Sequence, residues 1–286
     1  MFAGTVQRAI AADVEDVEWL FYEARLKFLR RWLSDLNECA EGGLLFAARK
    51  RGEVRAALAC SQQNPDVYNI CGAAFMEEED AEAFLAPLVQ LAAARLAELG
   101  ASMLTYVGTE DWLVRRLVWA DFTIAESVVT LLKAGADVPV PPPEGRIRIR
   151  RPGEPDIAAI ARVDKEAFPT EWHYSEPVLR RALYATDVFI LAEDEEPGGG
   201  IIGYAYGDVQ GGSAHLTRLA IHPARQGHGV GAALLAEAMR LFQERGAWWI
   251  TLNTQRGNVV SQRLYHRFGF QPIGQSVPLL VQWIRR

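Results

Sequence analysis

The run Arg225-Gln226-Gly227-His228-Gly229-Val230-Gly231 constrains this chain more than any other stretch. It lies between a strand-like segment, His215 to Ile221, and a segment in which Leu234, Leu235, Ala238, Leu241 and Phe242 recur on one helical face. Gly246 supplies the stop signal for that helix. Three glycines at alternate positions at a helix mouth let backbone approach a ligand closely. Several N–H groups then converge on one point, and the helix dipole adds positive potential there, which suits phosphate oxygens. Gly227, Gly229 and Ala232 also fit a dinucleotide fingerprint. That use requires an early βαβ unit and an acid about 20 residues onward. Here the loop comes late, the next strand-like stretch, Trp248 to Thr254, carries Asn253 and no acid, and no Lys-Ser/Thr pair follows the glycines. The phosphate cradle therefore belongs to some ligand other than a dinucleotide.

At 286 residues the chain is long for a single average domain. No apolar run approaches the roughly 18 residues of a membrane span, and no basic segment precedes an apolar one, so a cytoplasmic protein without membrane partners is expected. Cys39, Cys60 and Cys71 are odd in number and lack metal or redox spacing; they read as reduced core residues, and no metal is expected. The acidic excess lies in the first half, whereas all five histidines fall in the second. No basic run with interleaved aromatics points to nucleic acid.

The proline-rich stretch Val138 to Gly145 reads as a stiff linker, and the two sides of it resemble each other. Glu98-Leu99-Gly100-Ala101 before the strand-like Ser102 to Val107 parallels Glu244-Arg245-Gly246-Ala247 before Trp248 to Asn253, an offset of about 146 residues. Arg116-Leu117 through Asp121-Phe122 likewise parallels Arg263-Leu264 through Gly269-Phe270. The expectation is an α/β protein of two similar domains, residues 1–135 and 146–286, joined by a linker at 136–145. The halves differ at the glycine loop. The same offset puts Glu77-Glu78-Glu79-Asp80 opposite Pro223 to Gln226, and Ala81, Ala83 and Leu85 opposite the three glycines. Those carboxylates favour the helix N-terminus that follows but repel a diphosphate.

Residues 146–286 resemble a GNAT-superfamily N-acetyltransferase domain. The acetyl-CoA signature Q/R-x-x-G-x-G/A is matched by Gln226 to Gly231, led in by Leu219-Ala220-Ile221-His222-Pro223. A second motif, N-x-x-[SA]-x-x-x-Y-x-x-x-G-F, is matched by Asn258, Ser261, Tyr265 and Gly269-Phe270. The tandem layout with a degenerate first half is similar to that of mycothiol synthases, and Ala167-Phe168-Pro169 with Trp172 is similar to ribosomal-protein alanine N-acetyltransferases. The resemblance implies two domains, each a mixed central sheet flanked by helices, with acetyl-CoA as co-substrate of the second. It implies that Leu219, Ala220 and Ile221 line the pantetheine arm, that Gln226, Gly227, His228, Gly229, Val230 and Gly231 hold the diphosphate, and that Asn258 and Ser261 contribute to the arm. The alternatives are that Gln226 is a solvated loop residue and that Asn258 only caps the helix that starts there.

Direct transfer to a primary amine, on a small molecule or a peptide N-terminus, then requires two proton transfers. Tyr265 is the candidate acid for the departing thiolate. The alanine acetyltransferases carry a glutamate base where this chain has Asn253. His215, at the position of an acid in mycothiol synthases, is the remaining candidate base. Strand alternation places His215, Thr217, Leu219 and Ile221 on one face and His222 on the other, which speaks against a His215–His222 metal pair. Trp172 and His173 fall in the segment that lines the acceptor pocket in such domains. The absent glutamate leaves one alternative, a non-catalytic acyl-CoA-binding regulatory module.

Overall fold

The computed structural model describes residues 4–30, 35–135, 137, 146–196 and 199–284. The expected linker 136–145 therefore lies outside the described residues, apart from residue 137. Among the described residues no helix is long and apolar enough to cross a membrane.

The chain forms two compact units. The first contains, in order, β1 (Gly4–Arg8), α1 (Val14–Glu23), β2 (Leu26–Leu29), α2 (Asp35–Glu41), β3 (Leu45–Lys50), β4 (Glu53–Asn64), β5 (Val67–Phe75), α3 (Glu78–Glu98), β6 (Met103–Val107) and α4 (Asp111–Trp119). Its sheet runs β1-β3-β4-β5-β6, antiparallel except for β5 beside β6. Apolar side chains fill both faces of that sheet: Phe46, Leu58 and Phe75 pack towards α3, and Val17, Leu20 and Phe21 of α1 pack on the other side.

After β7 (Thr123–Ala134), the second unit continues through β8 (Ile147–Arg150), α5 (Ile157–Ala167), α6 (Glu176–Ala185), β9 (Val188–Asp194), β10 (Ile201–Gln210), β11 (Ser213–Ile221), α7 (Val230–Glu244), β12 (Trp249–Gln255) and α8 (Val259–Arg267), and the chain closes with β13 (Gln271–Trp283). The sheet order β8-β9-β10-β11-β12 repeats that of the first unit, and β11 beside β12 is again its parallel pair. β5 and β11 correspond end to end at the offset of 146, as do the C-termini of α3 and α7 at Glu98 and Glu244. This is the internal duplication expected from the sequence.

The boundaries differ from those expected. The units are residues 1–125 with 277–286, and residues 126–276. Residues 128–134 of β7 pair with Trp249–Gln255 of β12, so the strand after α4 completes the second sheet. Residues 279–283 of β13 pair with Met103–Val107 of β6, so the strand after α8 completes the first. A proline-rich stretch is a composition signal, and it carries no information about which sheet edge a flanking strand joins.

Candidate active site

β11 pairs with β10 along its length but with β12 only from Ser213↔Trp249 to Leu216↔Leu252. Beyond Leu216 the edge of β11 is no longer paired with its parallel neighbour. A β-bulge marks the spot: Tyr206 faces Arg218 and Gly207 faces Leu216, so Thr217 is the extra residue. The bulge also reverses the alternation. Ala214 and Leu216 face the core under α7, and so do Leu219 and Ile221, whereas Ala220 joins the cluster under α5. His215 therefore lies on the opposite face from Leu219 and Ile221, a correction to the strict period of two. The alternation that separated His215 from His222 falls with it. His222 is nonetheless engaged elsewhere: its Nε2 meets Glu166 Oε2 at 2.7 Å and its Nδ1 accepts the Ala224 N–H at 3.2 Å. No group of three metal-binding side chains forms among the described residues.

The glycine loop follows a single turn of 3-10 helix at Pro223–Arg225. Gly227 (φ +82°) and Gly229 (φ +78°) are both left-handed, and Gly229 is the N-cap of α7. A Cβ on Gly227 would have no neighbour within 4 Å, so its demand is conformational and the space above it is open. Gly231 differs: a Cβ there would make ordinary contacts with Ile221 and Leu264 at 3.5 Å. Val230 is buried beneath the loop, His228 is exposed on it, and Gln226 Nε2 braces it by donating to the Ile221 carbonyl at 3.1 Å. Arg225 anchors its start through Asp194 at 3.0 Å.

Asn258 is the N-cap of α8, its Oδ1 accepting the Ser261 N–H at 3.1 Å, a bond that does not use the Nδ2 donor group. Tyr265, two turns on from Asn258, is 6% exposed and sits edge-on to Phe270. Burial raises its pKa well above the ordinary phenol value, with the nearby Arg218 charge opposing, so it stays protonated. Asn253 Oδ1 accepts from the Thr130 hydroxyl at 2.9 Å.

His215 is half-buried, with Nδ1 2.9 Å from Thr251 Oγ1. The Thr251 hydroxyl donates to the Ala214 carbonyl at 3.2 Å, so its lone pair faces the ring. That network assigns the proton to Nδ1 and the free lone pair to Nε2. Burial lowers the His215 pKa below its ordinary value, and Asp208, its cross-strand partner, opposes the shift.

Trp172 and His173 lie in a turn whose amides both donate to the Pro169 carbonyl. What holds this segment was missed from sequence. Arg218, 7% exposed, donates from Nε and Nη2 to Asp164 Oδ2 at 2.8 and 2.6 Å, and from Nη2 to the Trp172 carbonyl at 2.8 Å. Asp164, fully buried on α5, also accepts the Tyr174 N–H at 2.5 Å and the Tyr204 hydroxyl. The guanidinium carbon lies 3.6 Å from the ring centre of Phe168 and 4.2 Å from that of Tyr174. The signal was present: Asp164 continues the apolar stripe of Ile157 and Ile160, and Arg218 shares the parity of the buried Ala214, Leu216 and Ala220. A charge at a buried position needs a partner.

Residues 157–270 match the family model described as the Acetyltransferase (GNAT) family. An uncharacterized N-acetyltransferase of Methanocaldococcus jannaschii is 29% identical over 124 residues, 43% of this chain and 77% of that protein. A mycothiol acetyltransferase of Amycolatopsis mediterranei is 31% identical over 156 residues, 48% of this chain and 50% of that one. The chain thus spans about half the length of that relative. A putative ribosomal protein bS18-alanine N-acetyltransferase of Bacillus subtilis is 29% identical over 123 residues, 42% of this chain and 77% of that protein. Among solved structures, a tandem GNAT protein from the clavulanic acid biosynthesis pathway aligns with TM-score 0.64 at 12% identity, covering 99% of both chains. At that identity the likeness shows the fold: two GNAT-type units in tandem.

Proposed function

We propose that the second unit, whose residues 157–270 match the GNAT acetyltransferase family model, binds acetyl-CoA and acetylates a primary amine, on a small molecule or a peptide N-terminus, by direct transfer in a ternary complex. The observation that carries this reading is the β11 edge, unpaired with β12 beyond Leu216 and leading straight into the left-handed glycines that cap α7. An extended arm ending in phosphates fits that combination, with strand-like pairing along Leu219–Ile221 and phosphate oxygens on the amides of residues 227–231. The N–H near Leu219 would donate to the thioester carbonyl oxygen as charge builds there.

His215 would take the amine proton on Nε2, directly or through a water. Tyr265 would return a proton to the departing sulfur. Reference values of about 10 and about 8.5 make that transfer uphill by roughly 2 kcal/mol, and the dry surroundings that disfavour tyrosinate disfavour thiolate as well. The amine acceptor is supported by the relative whose name specifies an alanine N-acetyltransferase.

The test is thiol release from acetyl-CoA by the full chain with alanine amide, alanyl peptides, aminosugars and polyamines, with products identified by mass spectrometry. Acetylation of at least one amine is expected. Binding of acetyl-CoA without turnover across the panel would favour the regulatory module, and no binding at all would refute both.

A further inference from the structure

The two units are internal controls for each other. From β1 to α1 and from β8 to α5 the chain repeats at an offset of 143 residues: Gly4 and Val14 begin the elements that Ile147 and Ile157 begin later. Phe21 therefore corresponds to Asp164, and Leu26–Leu29 to residues 169–172. On the sheet the offset is 146, so Gly72 corresponds to Arg218. The contacts support both mappings: a Cβ on Gly72 would lie 3.1 Å from the Phe21 ring, as Arg218 meets Asp164. Even the bulge recurs, since Ala59 faces Gly72 and Cys60 faces Ile70, leaving Cys71 as the extra residue where Thr217 is in the second unit.

What differs is the segment after the first helix. In the first unit it is β2, which pairs antiparallel with β5 from Leu29↔Gly72 to Leu26↔Phe75. Those β5 residues correspond to Arg218–Ile221, the edge on which the pantetheine arm is proposed to lie. The first unit thus fills its own groove with a strand, and Gly72 makes room for it: a Cβ there would come within 3.0 Å of Leu29. In the second unit the equivalent segment is a turn, fastened to Asp164 and Arg218 through the Trp172 carbonyl, the Tyr174 N–H and the rings of Phe168 and Tyr174.

We propose that the buried Asp164–Arg218 pair is a positioning device that keeps the acetyl-CoA groove open by holding residues 168–174 off the β11 edge, and that its replacement by Phe21 and Gly72 is what closed the groove of the first unit. This rests on the reading of the second unit as the acetyl-CoA site. Arg218 and Asp164 act here through the segment they fasten and not on the reacting atoms.

The test transplants the first unit's residues into the second. In the full chain, Asp164→Phe with Arg218→Gly removes both charges together, so no buried ion is left alone. Acetyl-CoA affinity by calorimetry should fall at least tenfold. Amide exchange at Leu219 and Ile221, whose N–H groups alternate with the β10-facing amides of Ala220 and His222 and so face the open edge, is expected to be fast without ligand in the wild type and should become slow without ligand as the released segment covers the edge. General loosening would instead accelerate exchange at those amides, and that result overturns the proposal, as does wild-type affinity in the double variant. Should the double variant not fold, Arg218→Lys decides: it keeps the charge but loses the paired N–H groups and the stacking. Faster exchange at residues 172–174 and weaker acetyl-CoA binding are expected, and unchanged values for both overturn the idea. A wild-type chain that binds no acetyl-CoA would instead refute the reading on which the proposal rests.

Discussion

His215 shows how a side chain of ordinary chemistry acquires a direction from its neighbours. Thr251 holds Nδ1, so Nε2 carries the lone pair, and burial keeps the ring neutral to a lower pH than in a peptide. If His215 is the base, kcat/KM should fall on acidification with an apparent midpoint below about 6.5, the free-imidazole value. A limb at or above pH 7 that does not move with the pKa of the amine used would assign the base to another group. Folding stability follows the same direction: the unfolded chain takes up the His215 proton below about 6.5 while the folded chain resists, so this residue erodes stability as pH falls through that value. Thr251→Val should cost roughly tenfold in kcat/KM, since it frees the ring to turn without removing it. Tyr265→Phe should lower kcat by roughly 10²–10⁴-fold and leave acetyl-CoA affinity within a few-fold; a comparable loss of affinity would make the tyrosine a packing residue. His215 and Tyr265 could be named as candidates because each falls at a fixed distance from a motif. For Asp164 and Arg218 the pattern showed two charges at buried positions but not that they pair: they lie 54 positions apart in sequence and meet only because a bulge turns Arg218 towards α5.

At the scale of elements, α3 and α7 end at corresponding residues, but α3 begins at Glu78, opposite Ala224 in the second unit. The helix has run back through the positions that form the glycine loop. Its acidic first turn is then neutralised from within: Glu78 pairs with Arg116, Asp80 with Arg55 at 2.9 Å, and Glu77 with Arg25 at 3.7 Å. The carboxylates and their helix were visible in the sequence, and their arginine partners were not, because nothing local ties Arg55 to Asp80. In the second unit, Gly229 is held at φ +78°. Gly229→Val should therefore destabilise the fold by about 1–3 kcal/mol as well as abolish acetyl-CoA binding, since a branched side chain tolerates that φ poorly. Chemical denaturation and calorimetry measure the two effects separately, and unchanged affinity in a destabilised variant would remove the loop from the phosphate site.

The exchange of final strands governs how the whole molecule tolerates being cut. A division at the proline-rich stretch is the natural experiment suggested by composition, yet residues 146–286 lack β7, which pairs with all seven residues of β12. That fragment would expose the outer edge of β12 from Trp249 to Gln255. It would also lose Leu131, a fully buried member of the α7 core that is worth about 2 kcal/mol on burial alone. In addition it would carry residues 279–283 of β13 without β6 to pair with. Two unpaired strand edges in one small domain favour association between chains. Residues 126–276 form the compact unit instead, keeping the β7 pairing, the Gly135 N–H to Trp248 carbonyl bond at 3.1 Å and the Gln243 bond to the Gly135 carbonyl at 3.3 Å. Light scattering should find the 146–286 fragment aggregated and the 126–276 fragment monomeric, with only the latter binding acetyl-CoA. A soluble 146–286 fragment with the affinity of the full chain would show that β7 is dispensable to the second sheet and that the linker, after all, marks the working boundary.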